Sequence, residues 1–322
     1  LVGERAAETA GALSAIAKLV STSGAKLGWI PRRSGEMGAI AAGALPNLLP
    51  GNRPINDASA RVDVATAWAV DSLPTTPGME TQEMINSDLQ ALVIGGVDPM
   101  DISADAKIKL AKKFIVSLEI RQSDITEHAA VVLPVAAVVE KSGSFMDWQG
   151  KVRKFEAAVE QSLNRSDVRI LSILADEIGK PINLPTVKSV RAEMESLGVW
   201  DGTRPTMKPV TSSANTSLSS DEAILTSWRN LLDKGSLQDG EENLAGTARA
   251  SVAVISRTRA SNLNVKENDL VRISNNYGAV TLPCVIADID ESSVWLPRNS
   301  NNSQLIRNLG VVGNSIVKVA KA

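Results

Sequence analysis

Leu89-Gln90-Ala91-Leu92-Val93-Ile94-Gly95-Gly96-Val97-Asp98-Pro99 is a short apolar run that stops at two glycines. A run of this length, rich in aliphatic residues and bounded by turn formers, reads as a buried strand over 89–94. Ser103 is suited to cap a helix predicted over 103–113, and Phe114-Ile115-Val116-Ser117-Leu118-Glu119-Ile120 reads as the next strand. Strand, helix and strand in that order make one βαβ unit, whose strands pair in parallel. A short helix at 123–128 and a third strand over 130–136 follow. That third strand is nearly continuous in valine and leucine, the pattern of a parallel strand covered on both faces.

Upstream of this unit, Leu13, Ile16, Ala17 and Val20 recur at helical spacing and predict a helix over 7–20, then a turn and a short strand over 27–30. Residues 31–54 are rich in Gly and Pro and hold Arg32, Arg33 and Arg53, which predicts a long ordered loop. Downstream, 140–154 reads as a polar loop. Ser166 caps a helix over 167–178 that Gly179 and Pro181 stop. Residues 200–220 turn to Thr, Ser, Pro and Asn and read as a linker. Ile224, Leu225, Trp228, Leu231 and Leu232 make an apolar stripe that predicts a helix over 221–234. Beyond it the rhythm shortens to strands at 251–255, 269–274, 279–286, 293–296 and 315–319, the mark of a small barrel or sandwich. The expected organisation is an α/β domain over 1–199 with a parallel sheet, a linker with one helix over 200–248, and a β-barrel over 249–322.

Composition removes most chemistry. Cys284 is the only thiol and His128 the only imidazole, whereas zinc sites and iron-sulfur clusters need several such ligands. A nucleophile system would have to use His128, which sits beside Glu127 ahead of a buried strand and reads as structural. Acidic and basic residues nearly cancel to a net charge of -2, aromatics are scarce, and no basic cluster is interleaved with them, so no nucleic-acid partner is expected. The longest apolar run, around 129–139, is too short to span a bilayer and contains Pro134, so no membrane insertion is expected. The chain opens on Leu1 without a signal-like segment, which favours an excised piece of a longer protein.

Three constellations could meet a ligand. Gly95-Gly96-Val97-Asp98-Pro99 sits between strand and helix at the carboxyl edge of the sheet, where backbone amides can approach a ligand or simply turn the chain. Glu119-Ile120-Arg121-Gln122-Ser123-Asp124 ends the next strand and offers an acid, a guanidinium and an amide, or an ordinary cap. Residues 140–153 gather polar groups and two aromatics around Gly143 and Gly150, with no metal or triad spacing. Any small ligand is expected to be lined by Gly95, Gly96, Arg121 and Gln122.

Taken in order, 91–99, 114–124, 129–135 and 140–153 resemble the second half of the molybdopterin oxidoreductase domain. There a strand ends in a Gly-x-Asn-Pro turn, a later strand leads into Ala-Asp-Val-Val-Leu-Pro, and a Glu-Lys-x-Gly-Thr-Phe-x-Asn-x-Glu-Gly-Arg loop follows. Leu263-Asn264-Val265-Lys266-Glu267-Asn268-Asp269-Leu270-Val271, with Tyr277-Gly278-Ala279-Val280 and Val294-Trp295-Leu296-Pro297, resembles that superfamily's dinucleotide-binding domain, a double-psi β-barrel. Asn264 and Asn268 stand at its two usual glycines, and asparagine tolerates positive φ best after glycine. Gly28-Trp29-Ile30-Pro31-Arg32-Arg33, Trp228-Arg229-Asn230-Leu231-Leu232-Asp233 and 244–250 are most similar to complex I G subunits of actinobacterial type.

That resemblance implies a structural module of the peripheral arm of NADH-quinone oxidoreductase, on the cytoplasmic side of the bacterial plasma membrane, with other complex I subunits as partners. It implies iron-sulfur clusters in the full-length subunit but none in this stretch. It also implies that molybdopterin has been lost, because Asp98, Ala130, Ser144, Asp147, Gln149 and Lys151 depart from the superfamily pattern and new carboxylates repel a pyrophosphate. The competing expectation is the cofactor-binding half of a molybdenum or tungsten oxidoreductase, such as a formate dehydrogenase or nitrate reductase.

Overall fold

A computed structural model of the chain describes residues 1–9, 11–159, 162–204 and 217–322. The linker expected at 200–220 lies mostly outside the described residues. Two compact units emerge, one from most of the chain up to residue 204, the other from residues 217–322 together with 8–9 and Pro99–Ile108.

In the first unit, α1 (Ala12–Ser23) starts later than expected because Gly11, at φ 79°, breaks the chain ahead of it; Glu4–Glu8 forms a separate 3-10 turn. The loop expected over 31–54 contains more structure than its Gly and Pro content suggested. It holds α2 (Glu36–Ala41) and a two-residue hairpin pairing Leu48–Leu49 with Arg53–Pro54. Its Arg53 is 5% exposed; it donates to the carbonyls of Leu197 (2.8 Å), Gly198 (2.9 Å) and Pro50 (3.2 Å), reaches Asp63 at 3.2 Å and lies over Trp200. A planar guanidinium with five donors satisfies these orphan carbonyls at once, which a lysine could not. Helix α3 (Ala58–Ala67), capped by Asp57, buries Val64 against Leu49 and Ile55.

The βαβ reading is borne out. β1 (Ala91–Gly95), α4 (Ala106–Leu110), β2 (Phe114–Glu119) and β3 (Val131–Pro134) follow in order, and the sheet β1-β2-β3 is parallel throughout. Three details differ. The helix expected over 103–113 shrinks to five residues, since 104–105 form a turn ahead of it and the chain turns again at 111–112. Residues 123–128 form turns and no helix, because the Thr126 hydroxyl and the Ser123 backbone bond one another and compete with helical pairing. The expectation of a sheet covered on both faces fails within the described residues: Val93, Phe114, Val131 and Val132 remain exposed.

The polar loop expected at 140–154 is a hairpin, β4 (Gly143–Met146) with β5 (Val152–Phe155), its strands pinned by the stacked rings of Phe145 and Phe155. Helix α5 (Asp167–Glu177) has the predicted Ser166 cap, and α6 (Val187–Leu197) follows, capped by Thr186.

The second unit is a closed six-stranded barrel, and here the sequence reading needs its largest correction. Residues 221–234 do not form a helix: Glu222–Trp228 is β6, the barrel's first strand, so the barrel begins inside the stretch expected to hold linker and helix. β7 (Ala253–Ser256), α7 (Arg257–Leu263), β8 (Leu270–Ser274), β9 (Ala279–Ala287), β10 (Ser293–Pro297) and β11 (Ile316–Lys321) complete it, in the order β6-β10-β7-β9-β8-β11. Two of its pairings, β6 with β10 and β7 with β9, are parallel between strands distant in sequence, while the rest are antiparallel. That mixture is the crossed connectivity of the double-psi barrel. Alternate residues, among them Leu225, Ile255, Val271, Ile273, Val294 and Leu296, fill its interior. Asn264 (φ 49°) and Asn268 (φ 69°) hold the left-handed turns expected of them, Asn264 as the cap that ends α7. Arg259 on α7 is buried and donates to the carbonyls of Glu222 (2.8 Å), Glu291 (2.9 Å) and Ser220 (3.3 Å), fastening helix to strand ends.

Candidate functional site

The residues expected to line a ligand do meet at one sheet edge. Register sets Gly95 beside Leu118, so the β1 turn and the end of β2 are neighbours, and Arg121 and Gln122 leave the sheet just beyond. Gly96 lies at φ +65°, a conformation that residues with side chains rarely adopt, so the turn itself favours the second glycine. Its amide donates to the Leu118 carbonyl at 3.1 Å and is thereby spent within the sheet. On β2 the Glu119 carboxylate accepts from the amide of Ile120 at 2.9 Å. Arg121 and Gln122 are exposed, and the Arg121 guanidinium sits 3.5 Å from the Gln122 carbonyl.

A pterin dinucleotide needs donors that converge on its pyrophosphate. This edge offers few: the amides of Gly96 and Ile120 are occupied, the Glu119 carboxylate lies beside them, and among Gly95, Gly96, Arg121 and Gln122 a single guanidinium supplies positive charge. The described residues do not fit that group.

The 140–153 constellation is structural. Glu140 accepts from the Ala137 amide (2.7 Å), the Ser162 hydroxyl (2.7 Å) and the Asn164 side chain (3.0 Å), and these bonds, Ser162 foremost, hold its carboxyl below the usual glutamate range. Asp147 accepts from the amides of Lys151 and Gln149, both at 3.0 Å, and closes the turn of the β4–β5 hairpin; the Lys151 amide is the main reason its carboxyl is also lowered. Ser144 accepts from Arg191 Nε at 2.9 Å, and Lys141 pairs with Asp167.

Beside the hairpin lies a largely apolar hollow of about 410 Å³, lined by Phe155, Val187, Val190 and Met194 together with Lys141 and Arg191. It went unread in the sequence, although Val187, Val190 and Met194 recur at helical spacing and could have revealed α6. On the barrel, a smaller hollow beside Trp228 and Arg249 contains Arg229, whose charge is met by Asp233 at 3.2 Å.

Neither soft donor is placed for catalysis. Cys284 is fully buried in the barrel core, its thiol donates to the Lys266 carbonyl at 3.1 Å, and burial together with nearby Glu267 and Asp269 pushes it up from the usual thiol range. Such a thiol is inert. His128 is half-buried, with Nδ1 2.8 Å from the Asp124 carbonyl, an arrangement that closes its own turn. Among the described residues no group of three or more His, Cys, Asp or Glu is placed to hold a metal ion, and no helix is long and apolar enough to cross a membrane.

Comparison with known proteins agrees with the resemblance read from the sequence. The chain is 44% identical to the G subunit of NADH-quinone oxidoreductase from Mycobacterium bovis, over 99% of this chain and 41% of that protein. It is 42% identical to the G subunit of the Streptomyces coelicolor enzyme, over 100% of this chain and 40% of that protein. The chain therefore spans about two fifths of the length of the curated relatives it matches. Among solved structures, acetylene hydratase from Pelobacter acetylenicus aligns with 90% of this chain and 51% of its own at a TM-score of 0.49 and 11% identity. Residues 3–177, more than half of the chain, match the model of the molybdopterin oxidoreductase family, and to that family the chain belongs.

Proposed function

We propose that this chain is a folded, non-redox module of the G subunit of a bacterial complex I, and that the whole subunit passes electrons from NADH toward quinone through iron-sulfur clusters bound outside these 322 residues. The subunit sits in the peripheral arm, on the cytoplasmic side of the bacterial plasma membrane, against other subunits of the enzyme. The observation that carries this reading is whole-chain similarity to two such G subunits at 42 to 44% identity. A lone thiol sealed inside the barrel supports the absence of any redox centre from this stretch. Gly95, Gly96, Arg121 and Gln122 are then the edge of a former pterin cleft that keeps its shape without its ligand.

The test uses the purified complex with the full-length subunit. Its cluster signals in electron paramagnetic resonance should be unchanged by Cys284→Ser, and elemental analysis should find iron without stoichiometric molybdenum or tungsten. Loss of a cluster signal in that variant would overturn the proposal, and stoichiometric molybdenum or tungsten would establish the competing reading as a pterin enzyme. Modification of Arg121 by an arginine reagent should be slowed by a nucleotide or pterin if the cleft still binds one; equal rates with and without them dispose of the residual site.

A further inference from the structure

Helix α6 carries Val187, Val190, Arg191 and Met194 at helical spacing on one face, yet buries none of them. Other contacts hold the helix: Leu197 packs on the cluster of Leu49, Ile55 and Val64, and the indole of Trp68 donates to Glu193 at 3.1 Å. The apolar stripe instead lines the hollow of about 410 Å³ beside the β4–β5 hairpin, together with Phe155. Gly143 makes room for that ring, since an added Cβ would stand 2.4 Å from its Cζ. Side chains around a gap of this size forgo contacts that a packed interior supplies. The rim is open to solvent, with Met194 36% and Phe145 37% exposed, and the volume falls within the range of roughly 300–1,000 Å³ typical of small-molecule sites.

Charge selects the kind of molecule. The titratable side chains lining the hollow are Lys141, Arg191 and Asp167, two cations against one carboxylate. Lys141 is paired with Asp167, which leaves the surplus charge on Arg191. Arg191 Nε donates to the Ser144 hydroxyl at 2.9 Å and Nη2 to the Gly143 carbonyl, while Nη1 has no partner among the described residues. A guanidinium braced along one edge in this way presents the other as a fork for a carboxylate. We propose that the hollow binds a small amphiphilic carboxylate, of which a medium-chain fatty acid is the simplest, with its hydrocarbon on Phe155, Val187, Val190 and Met194 and its carboxylate on Arg191. A neutral apolar molecule would leave the fork unused, and an amine would meet two cations. The site uses none of Gly95, Gly96, Arg121 or Gln122, and it stands or falls apart from the redox role of the subunit.

Decanoate is the probe, titrated into the 322-residue chain and into the isolated full-length subunit, each with isotope-labelled methionine methyls. The Met194 methyl resonance, assigned by Met194→Leu, should shift and saturate, while that of Met100, 5% exposed and outside the hollow, stays in place. Calorimetry should give one decanoate per chain, with decanol and decylamine at least about tenfold weaker, and Arg191→Gln should weaken decanoate by a similar factor. Because Arg191 also braces the hairpin, Met194→Trp supplies the second test: it fills the hollow, leaves Arg191 in place and should abolish binding. Binding that survives either substitution, decanol held as tightly as decanoate, or a Met194 resonance that does not move overturns the proposal. So does binding confined to the 322-residue chain, which would mean that the rest of the subunit fills the hollow. Shifts at many methionines without saturation would mark non-specific adsorption and overturn it equally.

Discussion

Glu140 gathers three donors from two parts of the chain: the amide of Ala137, three residues back, and the side chains of Ser162 and Asn164. Its folded-state carboxyl is therefore lowered relative to the unfolded chain. A group of this kind contributes stability that is present above the unfolded range, about pH 4.3 for glutamate, and is lost as pH falls through the lower folded value. Amide exchange at 137–140 and 162–164, corrected for intrinsic rates, should stay slow at neutral pH and quicken only below that range. In Glu140→Gln the protection should be weaker at neutral pH and should not fall further with acid. An identical acid profile in the variant would locate the effect elsewhere. At this scale the sequence was informative where the backbone makes the demand, as at Gly96, Asn264 and Asn268. It was uninformative where a partner far along the chain makes it. Nothing near Arg53 announces that its guanidinium closes on carbonyls 144 and 145 residues away.

Among the elements, β6 shows why a helical stripe can deceive. Ile224, Leu225 and Trp228 satisfy helical spacing, yet the strand points Ala223, Leu225 and Ser227 inward and Ile224 and Trp228 outward. Both faces of this strand are apolar because the outer one is partly covered, Trp228 packing on Trp295 with ring centroids 4.7 Å apart. A two-residue period with apolar side chains on both faces cannot be told from a helix by position alone. The two structures differ sharply in energetics. In a strand, Leu225 fills the barrel core at 0% exposure while its neighbour Ile224 lies 37% exposed, so Leu225→Ala should cost about 2–5 kcal/mol and Ile224→Ala no more than about 1 kcal/mol. Urea unfolding of the two variants measures the difference, and equal losses would contradict the strand. The later strands were readable because their short spacing and turn residues leave room for no helix longer than about two turns, such as α7. The hairpin β4–β5 was missed because its polar faces carry no alternation of burial, and its strands are held by Phe145 against Phe155.

For the whole molecule, the two units differ in how thoroughly they bury apolar surface. Inside the barrel, strand after strand delivers a side chain at or near zero exposure to one continuous core. The first unit is thinner: α1 and α6 bury no residue, and α5 buries only Ser172. Burial of apolar area is the main favourable contribution to folding, so the barrel should outlast the first unit in denaturant. Two intrinsic probes separate them. Cys284, the sole thiol, lies in the barrel core; Trp29, Trp68, Trp148 and Trp200 belong to the first unit, Trp200 beneath the Arg53 guanidinium, and replacing the barrel pair (Trp228→Phe, Trp295→Phe) leaves emission to report on that unit alone. In a urea titration of the 322-residue chain, the shift in tryptophan emission should begin at lower urea than the exposure of Cys284 to a thiol reagent. Superimposable transitions in the 322-residue chain would mean a single cooperative unit, and would remove the ground for regarding the first unit as the less finished of the two.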